Sequence, residues 1–228
     1  MGLDTSAVVC SAALMEDGVE LASFSRREGL THSEVLLPGI LDMIKKSGKS
    51  LSDVDAIAVS VGPGSFTGLR IGIATAKGLA YDRDLPCVPV STLEALAENA
   101  REQNPALVCA VMDARRGEYY NALFAVENSA LRRLTEDRAI SGDELTDELK
   151  GFERIIILGD GADKFVSAHR EFIDFLAPDS IRWQSALSVC RVAKRYFESE
   201  RVSCRRLAPR YLRLPQAERE WNKKQKKK

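Results

Sequence analysis

The stretch Gly62-Pro63-Gly64-Ser65-Phe66-Thr67-Gly68-Leu69-Arg70 carries the residue types that bind phosphate. It follows a short apolar run, Ala56 to Val61, and leads into a helical pattern. A Gly- and Pro-rich turn between a strand and a helix offers an anion free backbone N–H groups and the positive end of the helix dipole. The phosphate chemistry is incomplete, however. There is no G-x-x-x-x-G-K-[ST] lysine, and Thr67 stands where G-x-G-x-x-G has its third glycine. The other residues that could do chemistry are dispersed. His32-Ser33-Glu34 reads as a hydrolase-like cluster only if nucleophile and base converge, which adjacent residues rarely do. The competing reading makes His32 a helix-entry residue and Glu34 a cap. His169 has no companion ligand motif.

These residues must be positioned by an α/β chain. Ala7 to Leu14 and Val19 to Phe24 read as strands around the turn Glu16-Asp17-Gly18. Thr31-His32-Ser33-Glu34 opens a helix in which Leu37, Ile40, Leu41 and Ile44 recur at helical spacing, with Pro38 at its start or at a kink. Val54 to Val61 reads as a buried strand and Phe66 to Tyr81 as a long helix. That helix carries Gly68, Gly72, Ala76 and Ala80 as a seam of small residues, each four apart. Three glycines within it, Gly68, Gly72 and Gly78, each cost about 1 kcal/mol relative to alanine, so close packing must compensate. The spacing leaves two readings open: packing on the protein's own sheet, or a helix-to-helix contact with another subunit.

Strands and helices go on alternating to the end of the chain, which indicates α/β. Leu85 to Val90, Leu107 to Met112, Tyr119 to Val126 and Arg154 to Leu158 read as strands. Thr92 to Arg101, Asp143 to Lys150, Ala162 to Phe172 and Ser185 to Glu200 read as helices. An apolar residue, an Asp and a polar turn open a hairpin both at Leu3-Asp4-Thr5-Ser6 and at Met112-Asp113-Ala114-Arg115. This echo predicts two lobes of similar topology, residues 1–103 and 104–215, with Asn104-Pro105 at the boundary and a basic tail over 216–228.

Composition is that of an ordinary globular protein, with 45% hydrophobic and 29% charged residues. The five cysteines are scattered and never form C-x-x-C, as expected of reduced thiols in a cytoplasmic protein rather than a disulfide frame. No apolar run suits a membrane span, and the N-terminus does not read as a signal peptide. A net charge of zero hides an asymmetry. Residues 201–228 hold eleven Arg and Lys against two Glu, a net of +9, which leaves −9 on the other 200 residues. Such a tail either solvates the chain or contacts nucleic acid without sequence preference. Arg205, Arg206, Arg210 and Arg213 beside Tyr211 leave the same two readings open, RNA contact or a terminal structural segment.

Several motifs together resemble the bacterial TsaB (YeaZ) family. They are Leu3-Asp4-Thr5-Ser6, His32-Ser33-Glu34 with Leu36-Leu37-Pro38, and the glycine run continued through Ile71-Gly72-Ile73-Ala74-Thr75-Ala76-Lys77-Gly78-Leu79-Ala80. Val90 to Leu96, Asp113-Ala114-Arg115 with Glu118, Gly159-Asp160-Gly161 and Pro209-Arg210-Tyr211-Leu212-Arg213 extend the match over nearly the whole chain. The resemblance implies a two-lobed sugar kinase/Hsp70/actin-like (ribonuclease H-like) α/β fold with mixed sheets flanked by helices. It implies a non-catalytic partner of TsaD in making N6-threonylcarbamoyladenosine, next to the anticodon of tRNAs reading codons that begin with A. TsaE, a P-loop ATPase, would complete the complex. ATP and metal are expected on those partner subunits and no cofactor on this chain.

TsaD-type enzymes carry a His-x-x-x-His pair that holds a metal; the matching positions here are Thr92 and Leu96, and leucine cannot ligate. Asp4 and Asp113 stand where kinase-type members of the superfold place carboxylates for Mg²⁺, but without the glycine that admits phosphate. Asp160 intrudes between two glycines, where a carboxylate repels phosphate. All three are expected to be turn residues. The expected docking surface comprises Leu37, Ile40, Leu41 and Ile44 with Gly68, Gly72, Ala76 and Ala80, and it could also make a homodimer when TsaD is absent. The alternative from another functional class is a nucleotide-dependent small-molecule kinase of the same superfold; a peptidase is weaker still.

Overall fold

The computed structural model describes residues 1–27 and 31–213. The first sheet is built from β1 (Gly2–Asp4), β2 (Cys10–Glu16), β3 (Val19–Arg26), β4 (Ile57–Gly62) and β5 (Cys87–Ser91), in the order β3-β2-β1-β4-β5. β1 pairs antiparallel with β2 and parallel with β4. Asp4 therefore closes a central strand rather than preceding one, which the polar look of Asp4-Thr5-Ser6 conceals. The second sheet contains β6 (Ala106–Asp113), β7 (Glu118–Glu127), β8 (Ala130–Arg133), β9 (Arg138–Ser141) and β10 (Ile155–Leu158), in the order β10-β6-β7-β8 with β9 also on β7. The path β8-β7-β6-β10 repeats the order and pairing senses of β3-β2-β1-β4. The two echoing hairpins thus belong to two copies of one topology. β8 and β9 are short, arginine-bearing strands with little periodic signal.

The helices are α1 (His32–Lys46), α2 (Phe66–Tyr81), α3 (Thr92–Glu98), α4 (Gly142–Leu149), α5 (Ala162–Ala168), α6 (Asp179–Arg182) and α7 (Ala186–Glu200). α1 begins as its sequence dictates: the Glu34 carboxylate accepts from the Thr31 N–H at 2.8 Å, the reciprocal half of a capping box. This is the capping role read for Glu34, and Pro38 lies inside the helix. Alternation along the strands separates the layers. Ile57, Val59 and Val61 face α1 and α2, while Ala58, Val88 and Val90 face α7. In the second sheet, Leu107, Cys109 and Val111 face α4 and α5, and Val108, Ala110 and Met112 face α3. α3 and α7 therefore lie between the sheets, and α1 and α2 cover the outer face of the first.

The chain returns to the first sheet at its end. α7 packs on β1, β2, β4 and β5, and Val202 bridges to Cys87. A boundary at residue 104 separates the two sheets, but residues 186–207 pack with the first. All five cysteines are buried and unpaired, and burial raises the thiols of Cys10 and Cys87 to about 11 and of Cys109 to about 12.

Candidate functional site

Between the lobes lies a cleft of about 470 Å³. Its walls are the turn after β1, the glycine turn before α2, the β6–β7 hairpin, the turn before α5 and residues 210–213. The cleft brings Asp113, Asp160 and the glycine turn together, with Asp4 buried behind it.

The glycine turn is filled by the chain itself. The Ser65 N–H donates to the Ser6 carbonyl at 2.7 Å, and the Ser65 hydroxyl caps α2 by accepting from the Gly68 N–H at 3.2 Å. A Cβ at Gly64 would overlap the Ser6 carbonyl, and one at Gly62 the Arg210 carbonyl. Both glycines have positive φ, +158° and +131°, so they serve the turn's shape and its close contact with neighbouring backbone. Residues 210–213 form a strap across the mouth. The Arg210 N–H donates to the Val61 carbonyl at 2.8 Å, and Tyr211 stacks on Phe66 with centroids 4.9 Å apart. Arg70 covers Phe66 at 3.8 Å and donates to the Tyr211 hydroxyl at 3.0 Å. On the other lobe, Arg213 ion-pairs with Glu118 and donates to the Ala114 carbonyl at 3.3 Å. Tyr211 and Arg213 therefore anchor the strap to the two lobes, and Tyr211 stays partly exposed. The strap itself escaped prediction because Pro209 to Arg213 has no periodic pattern, and its only signal was membership of the motif set.

The aspartates serve different ends. Asp4 is fully buried and accepts from the Ser6 N–H at 2.9 Å and from the Ser6 and Ser60 hydroxyls at 2.6 Å each. Burial still outweighs these bonds and raises its pKa. Asp113 caps its own hairpin by accepting from the Arg115 N–H at 2.7 Å and pairs with Lys164 at 2.9 Å. Asp160 accepts from Gln184 at 3.2 Å, and burial, with smaller contributions from Asp113 and Asp4, pushes its pKa up to about 6. Gly159 and Gly161 let this turn lie on β6: a Cβ at Gly161 would sit 2.7 Å from the Met112 carbonyl carbon. Of the three expected turn residues only Asp160 is one; Asp4 and Asp113 are the last residues of β1 and β6, and each accepts from an N–H in the turn that follows.

Asp160 predicts a pH dependence. Its folded pKa lies above the unfolded value of 3.8, so between these values the folded chain binds the proton more tightly. The favourable contribution is full at acid pH and is lost as pH rises from about 4 to about 6. Asp160→Asn keeps an acceptor for Gln184 and should remove this slope. At pH 7 it should stabilise the chain by up to about 3 kcal/mol, two pK units at about 1.4 each. Urea unfolding of both proteins at pH 4.5 and pH 7 measures this; an identical stability difference at the two values would refute it.

The two histidines lie apart. His32 is in the first turn of α1, and His169 stacks on Phe165 at 4.9 Å. Thr92 and Leu96 are completely buried, and the Thr92 hydroxyl has no hydrogen-bond partner among the described residues. Neither position offers a ligand set for a metal. Around them runs an ion network instead: buried Glu98 accepts from Arg195 at 2.7 Å, and Glu94 pairs with Arg133 at 3.1 Å, joining α3, α7 and β8.

The docking surface expected from spacing needs correction. Gly68, Gly72, Ala76 and Ala80 are all buried against the chain's own first sheet. The Thr5 hydroxyl donates to the Gly68 carbonyl at 2.7 Å, and a Cβ at Gly68 or Gly72 would overlap Thr5. Ile40 and Ile44 are likewise core, because α1 turns that face toward β2. Leu37 and Leu41 are exposed, at 45% and 55%. Beside them α2 presents Ala74, Gly78 and Tyr81, with Ile71 half-buried. These two helices form an apolar and small-residue outer face. The basic segment 216–228 lies outside the described residues. No helix among the described residues is long and apolar enough to cross a membrane.

Two sheets of repeated topology, helices sandwiched between them and a cleft at the strand ends define a two-lobed α/β protein of the sugar kinase/Hsp70/actin type. Here the turn that would meet phosphate is closed by the chain's own strap. The family model for TsaD, tRNA N6-adenosine threonylcarbamoyltransferase, matches residues 28–158. The tRNA threonylcarbamoyladenosine biosynthesis protein TsaB of Bacillus subtilis is 31% identical, covering 99% of each chain. The Escherichia coli protein of that name is 40% identical over 65% of this chain and 64% of its own. The structure of YeaZ from Pseudomonas aeruginosa superposes with a TM-score of 0.74 at 28% identity, covering 92% of this chain and 97% of that one. The chain belongs to the TsaB (YeaZ) family.

Proposed function

We propose that this chain is the non-catalytic partner of a TsaD-type enzyme in forming N6-threonylcarbamoyladenosine on tRNA. The observation that carries the reading is the full-length similarity to TsaB in a chain whose metal-pair positions are Thr92 and Leu96. The outer face of α1 and α2, centred on Leu37, Leu41, Ala74 and Gly78, is the docking surface. Because the chain resembles TsaD itself over residues 28–158, two similar helix pairs can meet across a pseudo-twofold axis. The same face serves a homodimer when TsaD is absent. ATP and metal reside on TsaD and TsaE, and the complex works in the cytoplasm.

The test is reconstitution. The full chain, mixed with TsaD, TsaE and ATP, should co-elute with TsaD in light-scattering chromatography, and with tRNA and threonylcarbamoyl-adenylate added it should restore the threonylcarbamoyladenosine formation that TsaD and TsaE alone do not sustain. A chain that remained separate from TsaD, and that was instead stabilised by millimolar Mg-ATP with phosphate release, would replace this reading with the small-molecule kinase.

A further inference from the structure

We infer that the mouth of the cleft is a contact surface for unpaired RNA, with Arg115 and Arg116 holding its backbone and Tyr211 offering a stacking face. The inference rests on the tRNA role proposed above and adds the surface that meets the RNA.

The β6–β7 hairpin ends on Arg115, Arg116 and Gly117, all with positive φ: 65°, 59° and 77°. A turn of this shape favours Asn, Asp and Gly, because a Cβ crowds the backbone in the left-handed region. Two consecutive arginines occupy it here, and both are exposed. Strain retained at an exposed tip needs a reason outside the fold, and the turn's own geometry would be served better by Asn-Gly.

Arg115 lines the cleft, Arg116 follows it at the exposed hairpin tip, and the charge balance around them singles both out. Asp113 is neutralised by Lys164, Glu118 by Arg213, and Arg210 approaches Glu200 at 3.7 Å. Asp160 is withdrawn into the floor beside Gln184, with a pKa raised to about 6. Arg115 and Arg116 have no carboxylate partner among the described residues. Elsewhere on the cleft lining Tyr211 stacks on Phe66, Arg70 covers Phe66 and bonds the Tyr211 hydroxyl, and Tyr211 remains 38% exposed. Cationic groups beside an open aromatic ring are the elements that hold single-stranded nucleic acid.

A free nucleotide suits this surface less well. At the glycine turn the Ser65 N–H is taken by the Ser6 carbonyl, and the carbonyls of Arg210 and Ser6 fill the space beside Gly62 and Gly64, which narrows the cradle for a terminal phosphate chain. Separate cations on a rim fit a backbone that crosses the mouth. The rim also adjoins the N-terminus of α2, so RNA held there would lie next to the proposed docking face.

The experiment uses the full chain, alone and with TsaD, and follows fluorescence anisotropy of a fluorescein-labelled anticodon stem-loop of a tRNA reading codons that begin with A. The test variant is Arg115→Asn with Arg116→Gly, which removes both charges while supplying residues that tolerate the left-handed turn. Its affinity should fall roughly tenfold, and the slope of log affinity against log salt should fall by about 1.4, about 0.7 for each lost contact to a single strand. Replacing both by lysine should keep most of the slope. Tyr211→Phe should preserve binding, whereas Tyr211→Leu should weaken it by about tenfold through lost stacking. Identical curves and slopes for the wild type and the Asn/Gly variant would overturn the inference, as would displacement of the RNA by ATP alone or no RNA binding by either the chain or the complex. If TsaD association persists while RNA binding ignores these arginines, the surface assignment fails and the partner role stands. If TsaD does not associate at all, the partner role fails first.

Discussion

Gly68→Val is expected to leave no folded chain at physiological temperature, and Gly72→Val to do nearly the same. Spacing alone allowed the opposite outcome, with these glycines facing another subunit and bulky replacements that spare the fold. The structure reverses that expectation. A Cβ at Gly68 would overlap the carbonyl oxygen of Thr5, and one at Gly72 the Thr5 hydroxyl. Neither atom can move cheaply, since Thr5 directly follows the central strand β1 and its hydroxyl is bonded to the Gly68 carbonyl. Ordinary overpacking costs about 1–3 kcal/mol, and overlap with fixed backbone belongs to the rarer class above about 4 kcal/mol. Domain stability is about 5–15 kcal/mol, so such a loss consumes most of it. Gly78 is the internal control. Nothing lies within 4 Å of a Cβ there, so Gly78→Ala should stabilise the helix by about 1 kcal/mol. Soluble yield and thermal melts of the three variants check this; a cooperatively folded Gly68→Val with an unchanged midpoint would contradict the packing argument.

Ala74→Arg is expected to abolish association with TsaD, by 100-fold or more, and to leave the isolated chain a cooperatively folded monomer. Ala74 is exposed in the middle of the outer face of α2, with Gly78 one turn further on and Leu37 and Leu41 on the neighbouring helix. In the free chain an arginine there points into water and has nearly the helix propensity of alanine. In a helix-to-helix contact it must bury a guanidinium without a partner, which costs several kcal/mol; each 1.4 kcal/mol is a factor of ten in affinity. Light scattering of the mixture with TsaD reads the result. Co-elution at wild-type stoichiometry and affinity would move the docking surface elsewhere, and equal loss with Leu41→Asp would place both helices in one contact. The pair Gly68 and Ala74 separates the two faces of one helix: the first substitution removes the fold, the second only the partner.

Much of the local structure was legible in the sequence because its determinants are local. The bounds of α2, the capping box at Thr31 and Glu34, and the hairpin echo follow from periodicity, capping chemistry and turn residues within a few positions. The absence of a ligand pair at Thr92 and Leu96 is a statement about residue identity and needs no coordinates. The direction of the small-residue seam was not legible. A spacing of four places Gly68, Gly72, Ala76 and Ala80 on one face, but periodicity is symmetric between a face turned inward and one turned outward. Only the course of β1 beneath α2, contributed by residues more than sixty positions away, decides that they are core and that Ala74 and Gly78 are surface. The strap is the same case at longer range. Gly62 to Arg70 has the composition of a phosphate turn, and nothing within it reveals that Arg210 and Tyr211 will occupy its space. Composition and period determined which elements form and what chemistry each could support; the packing of distant segments decided which surfaces remain open to use it.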